Sequence, residues 1–511
     1  MRIAAYPTRY QALKTSIISL FAVLSGDFSS LQILLYLKSS GTFWAMLFSR
    51  DVSAMLPRFH HTSLTCSFMP FLATIGRALV SARRLLFMMM AALLLSAPLH
   101  GQSLPQAFIG GTIYPISEAP IENGVLLVHE GEIVAVGAAG TVDIPANAEQ
   151  HDVSGHILMP GLVDTHSHIG GGDGGDRSSA LHPDVRIMDT IDVRSDTFKK
   201  ARTGGVTTAN VMPGSGHLLS GQTVYLKLRN ARTIDDMLIP DENLAGGFAA
   251  GIKMANGTNS LRDAPFPGTR ARSATMQRQL FIEAQAYRQR LEHEEDTPRD
   301  LRLEPMVEIL NGDRLVHFHT HRHDDILTIL RMQEEFGFRV VLHHVSDGWL
   351  VADEIAAAGV PSSIIVLDTP GGKLEAVNLL YKTGAALEEA GAEVAFHTDD
   401  SVTDSRLFFR MAAFAVRAGM SREKALEALT LAGARMLDME DRVGSLEPGK
   451  DADFILLNGD PFSVYTHVMQ TWVEGEKVFD RDNEAQLPYA TGGHEVFRGE
   501  YFDHYSIGGG Q

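Results

Sequence analysis

Short runs of apolar and β-branched residues, separated by turn residues, begin at Ala107. The runs AFIGGTIYP, GVLLVHEGEIVAVG and HDVSGHILMPG have the length of β-strands, and HEGE at 129–132 predicts a hairpin turn. A second group of such runs, DADFILLNGD and HVMQTWVEGEKVFD, lies near the end of the chain. We therefore predict a small β-sandwich domain that is built from residues 104–160 and 439–485.

Between these two groups, the pattern alternates strands with helices. FRVVLHHV at 338–345 is typical of a buried strand, and ALEALTLAGARML at 425–437 has helical spacing. Alternation of this kind over about 270 residues is typical of a βα barrel. The sequence thus predicts the α/β class, with a (β/α)8 TIM-like barrel at 161–438 inserted into the β-sandwich domain. A glycine- and aromatic-rich tail follows at 486–511.

A candidate export signal precedes the first strand run. In Ser81–Ser103, two arginines are followed by the apolar run Leu85–Leu95 and then by small residues, which is the order of a secretory signal peptide. A buried helix is the alternative. The apolar run is too short to span a bilayer comfortably, so we expect a secreted or periplasmic protein with no stable membrane insertion after cleavage. We interpret residues 1–80 as an extension that a translation start at Met69 or Met88 would largely leave out.

Composition narrows the range of functions. The 511 residues carry a net charge of −18 without a basic stripe, which argues against nucleic acid as a partner. The single cysteine, Cys66, excludes an intramolecular disulfide and a thiolate cluster. We expect a small-molecule substrate, and a homo-oligomer is one open alternative for the assembly.

Histidines and aspartates stand where predicted strands end. His166 and His168 close the run HILMPGLVDTHSH, and the runs LVHFHTHRHDD, VVLHHVSDG and AEVAFHTDD end in the same way. Residues two apart on a strand share a face, so both imidazoles can reach one ion. A His-x-His pair alone is also typical of a turn or a core, but four such strand ends predict a metal site. Nitrogen and oxygen donors favour zinc, with manganese, iron or cobalt as alternatives, and Asp164 is placed to orient an imidazole.

Over roughly residues 107–480, the chain resembles the amidohydrolase superfamily, in particular its imidazolonepropionase-like and prolidase-like members. The resemblance lies in the motifs PGLVDTHSH, ARTGGVTTANVMPGSG, GIKMANG, HTHRHDDI, VLHHV, HTDD and RVGSLEPGKDADFILL. It implies one or two divalent metal ions, most favourably zinc. The ligands that it implies are His166, His168, Lys253, His319, His344 and Asp399.

Some of these implied roles have alternatives. His317 is the substitute for His319, His343 is expected to face away, and Asp400 to point elsewhere. Lys253 is either a carboxylated bridging ligand or an ion-paired lysine. Thr258 stands where some relatives carry a glutamate, so the number of ions stays open.

The resemblance also implies a reaction. Asp399 would be the catalytic residue that takes a proton from metal-activated water and passes it to the leaving nitrogen of an amide or cyclic amide. His321, Arg322 and His217 are candidate substrate-binding residues; an ion pair with Asp324 or Asp325 is the alternative for Arg322, and a structural turn is the alternative for His217. A dipeptidase that cleaves before proline, a deaminase and a non-catalytic binding homologue are the competing functions. No glutamate follows His319 closely, which argues against a deaminase.

Overall fold

The computed structural model describes three strands between residues 18 and 51, and then residues 104–171, 175–176, 178–366, 373–400, 402–493 and 496. The predicted signal segment at 81–103 and the tail beyond 493, except residue 496, lie outside the described residues. The chain divides into two compact units, 1–100 and 101–511. In the first unit, β1 (Ile18–Val23), β2 (Ser30–Ser39) and β3 (Thr42–Asp51) form an antiparallel sheet in that order. Among the described residues, no helix has both the length and the apolar character needed to cross a membrane.

An eight-stranded mixed sheet in the second unit joins the two groups of predicted strands. Its order is β20-β19-β18-β8-β4-β5-β6, with β7 paired to β4. The antiparallel pair β8–β18 connects the early strands to the late ones. The strands are β4 (Gln106–Ile113), β5 (Ile121–His129), β6 (Glu132–Ala138), β7 (Glu149–Asp152), β8 (Ile157–Pro160), β18 (Phe454–Leu457), β19 (Val468–Val473) and β20 (Glu476–Asp480).

This sheet has its own apolar core, in which Phe108, Phe454 and Trp472 pack with ring centroids 4.7–5.5 Å apart. The predicted HEGE hairpin is confirmed, because Glu130 and Gly131 take left-handed φ values of 52° and 86° between β5 and β6. The β-sandwich is not confirmed: in the described part of the chain, these strands form one hydrogen-bonded sheet rather than two.

The remaining part of the second unit contains seven parallel strands. Two of them form one ladder and five form another, and each ladder ends on an antiparallel strand, β12 or β11. The strands are β9 (Leu162–Ser167), β10 (Val206–Val211), β11 (Leu219–Gln222), β12 (Val224–Lys227), β13 (Ile252–Ala255), β14 (Val316–Thr320), β15 (Val340–His344), β16 (Ser362–Ile364) and β17 (Val394–Phe396).

Helices alternate with the parallel strands, as the sequence pattern predicts. The predicted strand at 338–345 is β15, and the predicted helix at 425–437 is divided in two at Thr430 (φ −136°, ψ −93°). The α-helices are α1 (Asp196–Thr203), α2 (Arg270–His293), α3 (Glu304–Asn311), α4 (His323–Phe336), α5 (Ala352–Ala358), α6 (Thr383–Ala390), α7 (Phe408–Arg417), α8 (Arg422–Leu429), α9 (Leu431–Arg435) and α10 (Leu487–Thr491). Single-turn 3₁₀ helices lie at Ile169–Gly171, Ile187–Asp189, Ile234–Asp236, Thr258–Ser260, Gly348–Leu350, Leu374–Ala376 and Ser405–Leu407.

Backbone hydrogen bonds, rather than one continuous ladder, connect the two groups of parallel strands. The amide of Asp399 donates to the carbonyl of His166 at 2.9 Å, and the amide of His168 donates to the carbonyl of Asp400 at 3.1 Å. On the other side, the amide of Thr223 in the β11–β12 connection donates to the carbonyl of Gly251 before β13 at 3.0 Å. The arrangement is TIM-barrel-like, and the predicted closed eight-stranded barrel is not observed among the described strands.

Candidate metal centre

Five of the six predicted metal ligands lie at or just beyond the carboxyl ends of the parallel strands, and Lys253 is the second residue of β13. His166, Lys253, His319 and His344 belong to β9, β13, β14 and β15. His168 follows β9, and Asp399 follows β17. Parallel strands end at the same edge of a sheet, so the fold brings together side chains that are up to 233 positions apart in the chain (166 to 399).

Asp399 is the carboxylate at which the histidines converge. Its Oδ1 lies 3.0 Å from Nε2 of His168 and 3.3 Å from Nε2 of His166. Its Oδ2 lies 3.9 Å from Nδ1 of His344. The donor atoms of His166, His344 and Asp399 lie within 4.8 Å of one another, which is close enough for one ion to contact all three.

Lys253 lies beside this group and is fully buried. Its Nζ is 3.0 Å from Nε2 of His166 and 2.9 Å from Sδ of Met212. Burial lowers its pKa to about 7, while the charge of Asp399 acts in the opposite direction. No carboxylate of the described residues lies within 4.0 Å of this amine, so the ion-pair alternative has no partner in this part of the structure. Carboxylation of Lys253 stays a prediction.

Two of the predicted ligands have strained backbones. His344 has φ 70° and Asp399 has φ 51°, values that a residue with a side chain adopts at a cost of about 1–3 kcal/mol. Long-range hydrogen bonds hold both conformations, namely Asp399 N–H to the His166 carbonyl at 2.9 Å and Val345 N–H to the Thr320 carbonyl at 3.0 Å. Strain that surrounding contacts maintain is typical of functional sites.

The left-handed turn at His344 corrects one prediction. His343 was expected to face away, yet its buried ring lies 5.0 Å from the ring of His166. Strand alternation stops at His344, so both histidines point inward. Below the site, His343 Nε2 lies 3.0 Å from His317 Nδ1, and His317 Nε2 lies 2.8 Å from the hydroxyl of Tyr225. His317 therefore lies in a buried polar chain.

Burial keeps the histidines of this cluster neutral. It lowers the pKa of His317, His321 and His397 to about 3, and it lowers the pKa of His166, His319, His343 and His344 well below the ordinary value. A neutral imidazole has the lone pair that a metal needs.

The carboxyl groups of Asp399 and Asp164 differ in their ionisation. Burial opposes ionisation of Asp399, but its hydrogen bond to His168 and the positive charges around it lower its pKa overall. Burial raises the pKa of Asp164 to about 7, against hydrogen bonds from Thr398. Asp399 is thus the ionised carboxylate of the centre.

Contacts beyond the ligands set their orientation. Nδ1 of His168 lies 2.7 Å from the carbonyl of Met212. His397, which the sequence analysis did not select, lies 3.0 Å from Nδ1 of His344 through Nε2 and 2.8 Å from the Ser363 hydroxyl through Nδ1. Its only sequence signal was its position in HTDD, directly after β17.

The prediction that Asp164 orients an imidazole is wrong. Its carboxylate accepts hydrogen bonds from the backbone amides of Thr398 at 3.0 Å and His166 at 3.3 Å. The side chain of Asp164 thereby holds in place the backbone segment that leads into Asp399. Asp400 does point elsewhere, as expected, because it receives a hydrogen bond from the buried ammonium of Lys200 at 2.8 Å.

His319 and His321 lie on the side of the centre next to His344. The ring centroids of His319 and His344 are 4.5 Å apart. Nδ1 of His321 lies 2.8 Å from the hydroxyl of Ser346, and its Nε2 lies 3.4 Å from Nζ of Lys373. The carboxylate of Glu375 lies within 4.8 Å of the nearest ring nitrogens of His319 and His321.

Sequence reasoning missed Glu375. The residue follows the β16 strand, and its Oε2 accepts a hydrogen bond from the amide of Thr258 at 2.7 Å and one from Arg270 at 3.2 Å. Its Oε1 is buried and has no hydrogen-bond partner among the residues that the structure describes. The carboxylate of Glu375 thus contacts the backbone of Thr258, the position at which some relatives are expected to carry a glutamate. Here the carboxylate comes from the segment after β16, which is distant in the sequence.

The other two predicted substrate-binding residues have structural partners. Arg322 forms a two-pronged contact with Asp324, at 2.9 and 2.8 Å. Nε2 of His217 lies 2.8 Å from the carbonyl of Asp176, which His182 also contacts at 2.8 Å. Burial lowers the pKa of His217 to about 4. These contacts correspond to the structural alternatives for both residues.

The residues present fit a divalent cation. Neutral imidazoles and one ionised carboxylate form the donor set, and in the described part of the chain the buried Nδ1 atoms of His166 and His319 have no hydrogen-bond partner. His319, His321 and Glu375 form a further group of possible ligands, and Nζ of Lys373 lies 3.4 Å from Nε2 of His321 beside it.

Comparisons with known proteins agree with this geometry. The sequence pattern of the amidohydrolase family matches residues 157–479. An amidohydrolase of known structure from Thermotoga maritima is 32% identical, with a TM-score of 0.68 over 73% of this chain and 100% of that chain. Its likeness supports the TIM-barrel-like α/β fold.

Curated relatives carry several activities. A 5-methylthioadenosine/S-adenosylhomocysteine deaminase of Symbiobacterium thermophilum is 25% identical over 73% of this chain and 92% of its own. An imidazolonepropionase of Bacteroides thetaiotaomicron is 25% identical over 67% of this chain and 87% of its own. The amidohydrolase tasK of Hapsidospora irregularis is 24% identical over 77% of this chain, which spans 43% of that longer protein.

Proposed function

The chain belongs to the amidohydrolase family, and on this premise we propose that it hydrolyses the C–N bond of a small-molecule amide or cyclic amide with the help of one or two divalent metal ions. The observation that carries the proposal is the convergence of His166, His168 and His344 on the ionised carboxylate of Asp399, within 3.0–3.9 Å. Zinc is our first choice for the ion, because the donors are nitrogen and oxygen only.

The metal would be held by His166, His168, His319, His344 and Asp399, with Lys253 as the candidate bridge. When bound, such an ion lowers the pKa of water and polarises a carbonyl oxygen. Asp399 is ionised and half-buried, so it can accept a proton from the attacking water and later deliver it to the leaving nitrogen. The contact between His168 and the Met212 carbonyl fixes the imidazole that faces Asp399.

We also propose that the mature protein works outside the cytoplasm. Support for this comes from the segment Ser81–Ser103 alone, with its short apolar run after two arginines.

Glu375 favours deamination as a second candidate. The sequence argument against a deaminase was that no glutamate follows His319 closely. The carboxylate of Glu375 lies within 4.8 Å of His319, although Glu375 follows His319 by 56 positions in the sequence (319 to 375). A buried carboxylate beside the centre could transfer protons to a leaving amine.

The test is a substrate panel on metal-loaded protein. N-acyl amino acids, Xaa-Pro dipeptides, cyclic amides and aminopurines are assayed for amine, ring opening or ammonia. We expect turnover that a chelator removes, and we expect Asp399→Asn to lower kcat/KM by about 10²–10⁴-fold when the rate is expressed per bound metal ion.

Asp353→Asn serves as the control, because it removes an exposed carboxylate in α5 and should leave the rate unchanged. Ammonia release from an aminopurine would select the deaminase. No turnover of any panel member with zinc, manganese, iron or cobalt would refute the proposal.

A further inference from the structure

Lys373 is a cation beside His321 that forms no ion pair with any of the residues that the structure describes. The side chain is half-buried, and its Nζ lies 3.4 Å from Nε2 of His321. No carboxylate of the described residues lies within 4.0 Å of this ammonium group. A lysine in such surroundings gives up part of its hydration without receiving a counter-charge.

The backbone at Lys373 is held in place by its neighbour. The 3₁₀ turn Leu374–Ala376 begins at the next residue and carries Glu375, whose carboxylate is fixed by the Thr258 amide at 2.7 Å and by Arg270 at 3.2 Å. Lys373 is therefore presented to the centre from an anchored segment.

The electrostatic surroundings favour an incoming anion. The side chains nearest to Lys373 include the neutral imidazole of His321, and His319 and Lys253 also lie within its electrostatic influence. Burial lowers the pKa of Lys373, while Asp399 and Glu375 act to raise it. Asp399 contacts the histidines and Oε2 of Glu375 contacts Arg270, and neither of these two carboxylates lies within 4.0 Å of the Lys373 ammonium.

Arg322, the cation that the sequence analysis chose for this task, is already paired. Both of its donors lie on the carboxylate of Asp324, at 2.9 and 2.8 Å. Of these two cations next to the strand-end histidines, Lys373 is the one that can still bind a charged ligand.

We propose that Lys373 forms an anion-binding subsite for the substrate, in first place for a carboxylate next to the bond that is cleaved. This proposal rests on the proposed function and deepens it, since it defines the substrate class as anionic amides such as N-acyl amino acids. His321 positions the ammonium group through the 3.4 Å contact.

The experiment compares each N-acetyl-L-amino acid of a panel with its neutral carboxamide. Both are measured by calorimetric binding and by turnover on the metal-loaded protein, its Lys373→Met variant and its Lys373→Arg variant. A charged hydrogen bond is worth enough that Lys373→Met should weaken carboxylate binding by about 10–100-fold. Binding of the carboxamide should change by less than about threefold, and Lys373→Arg should keep most of the preference.

Lys382→Met is the matched control. This lysine lies on the same connection between β16 and α6, but its ammonium lies 3.6 Å from the centroid of the Trp349 ring. Lys382→Met removes the same charge from the same region as Lys373→Met, so any effect of net charge alone appears in both variants. We expect Lys382→Met to keep the preference for the carboxylate.

The outcomes separate this subsite from the proposed reaction. Loss of carboxylate preference in Lys373→Met alone supports the subsite, even where no panel member is hydrolysed and the proposed function fails. Equal weakening of both ligands, an equal loss in the Lys382 variant, or wild-type protein without carboxylate preference overturns the subsite. If carboxamides are then hydrolysed as fast as carboxylates, the proposed function stands without it.

Discussion

The metal-free protein should unfold on mild acidification, because seven histidines are buried in neutral form around the centre. In the native state, burial holds the pKa of three of them at about 3 and of four well below the ordinary value of 6.5. In the unfolded chain, all seven recover a pKa near 6.5. The histidines are His166, His317, His319, His321, His343, His344 and His397.

The direction of the pH dependence of stability follows from the number of protons that each state binds. The unfolded state binds more protons than the native state below pH 6.5, so the free energy of unfolding falls as the pH falls. Each histidine costs about 0.8 kcal/mol at pH 6.0 and about 1.4 kcal/mol at pH 5.5. Seven together cost about 6 and about 10 kcal/mol, and the proton that Asp164 binds in the native state, with its pKa of about 7, offsets about 1 and about 2 kcal/mol of this. The remainder compares with a typical total stability of about 5–15 kcal/mol. The metal-free protein should therefore lose its fold between about pH 6 and pH 5.

A bound ion should delay this transition, since it occupies lone pairs that protons would take. At a free metal concentration about a thousandfold above Kd, binding adds about 4 kcal/mol. At a slope of about 8 kcal/mol per pH unit, for seven histidines less the one proton that Asp164 loses on unfolding, this moves the acid transition down by about 0.5 pH units.

The assay is urea unfolding, followed by circular dichroism from pH 7.5 to pH 5.0, with chelator and with zinc. His317→Gln should lower the slope by about 1.4 kcal/mol per pH unit. His293→Gln removes an exposed imidazole at the end of α2 and should leave the slope as it is. A metal-free protein that is as stable at pH 5.5 as at pH 7.5 would refute the reasoning.

Two further predictions concern buried lysines. If the loaded protein holds two ions per chain, Lys253→Met should reduce this number to one, measured by plasma emission spectroscopy; two ions in the variant would contradict a bridging role. Lys200→Met should cost about 3–5 kcal/mol of unfolding free energy in urea, because it leaves the Asp400 carboxylate buried without its partner at 2.8 Å. The exposed pair Arg278–Glu335 provides the control, since Arg278→Met should cost less than about 1 kcal/mol.

Local patterns were sufficient for the parts of the site that lie on strands. His166 and His168 were predicted from an apolar run that ends in two histidines, and the structure brings both to Asp399. Such a prediction works because strand alternation and burial are set by neighbouring residues. The hairpin at Glu130 and Gly131 was predictable for the same reason.

Residues that reach the centre from loops could not be predicted in this way. Glu375 and Lys373 belong to the segment after β16, and nothing in their local sequence indicates His319 or His321 as neighbours. Arg322 stands directly after the strand-end histidines, so its sequence position suggested a binding role, but Asp324 takes its guanidinium. Whether Lys373 or Arg322 is available to bind a ligand depends on ion pairs that form only in the folded protein.

Patterns along the chain were enough to predict the alternation of strands and helices, the strand ends that carry the histidines and Asp399, and the family. The inward turn of His343, the contact of Asp164 with backbone rather than an imidazole, and the single hydrogen-bonded sheet of the terminal strands became visible only in the folded protein. The physical reason is the range of the interactions. Hydrophobic periodicity acts between residues a few positions apart, whereas left-handed turns, buried carboxylates and sheet edges are fixed by hydrogen bonds between residues that only folding brings together.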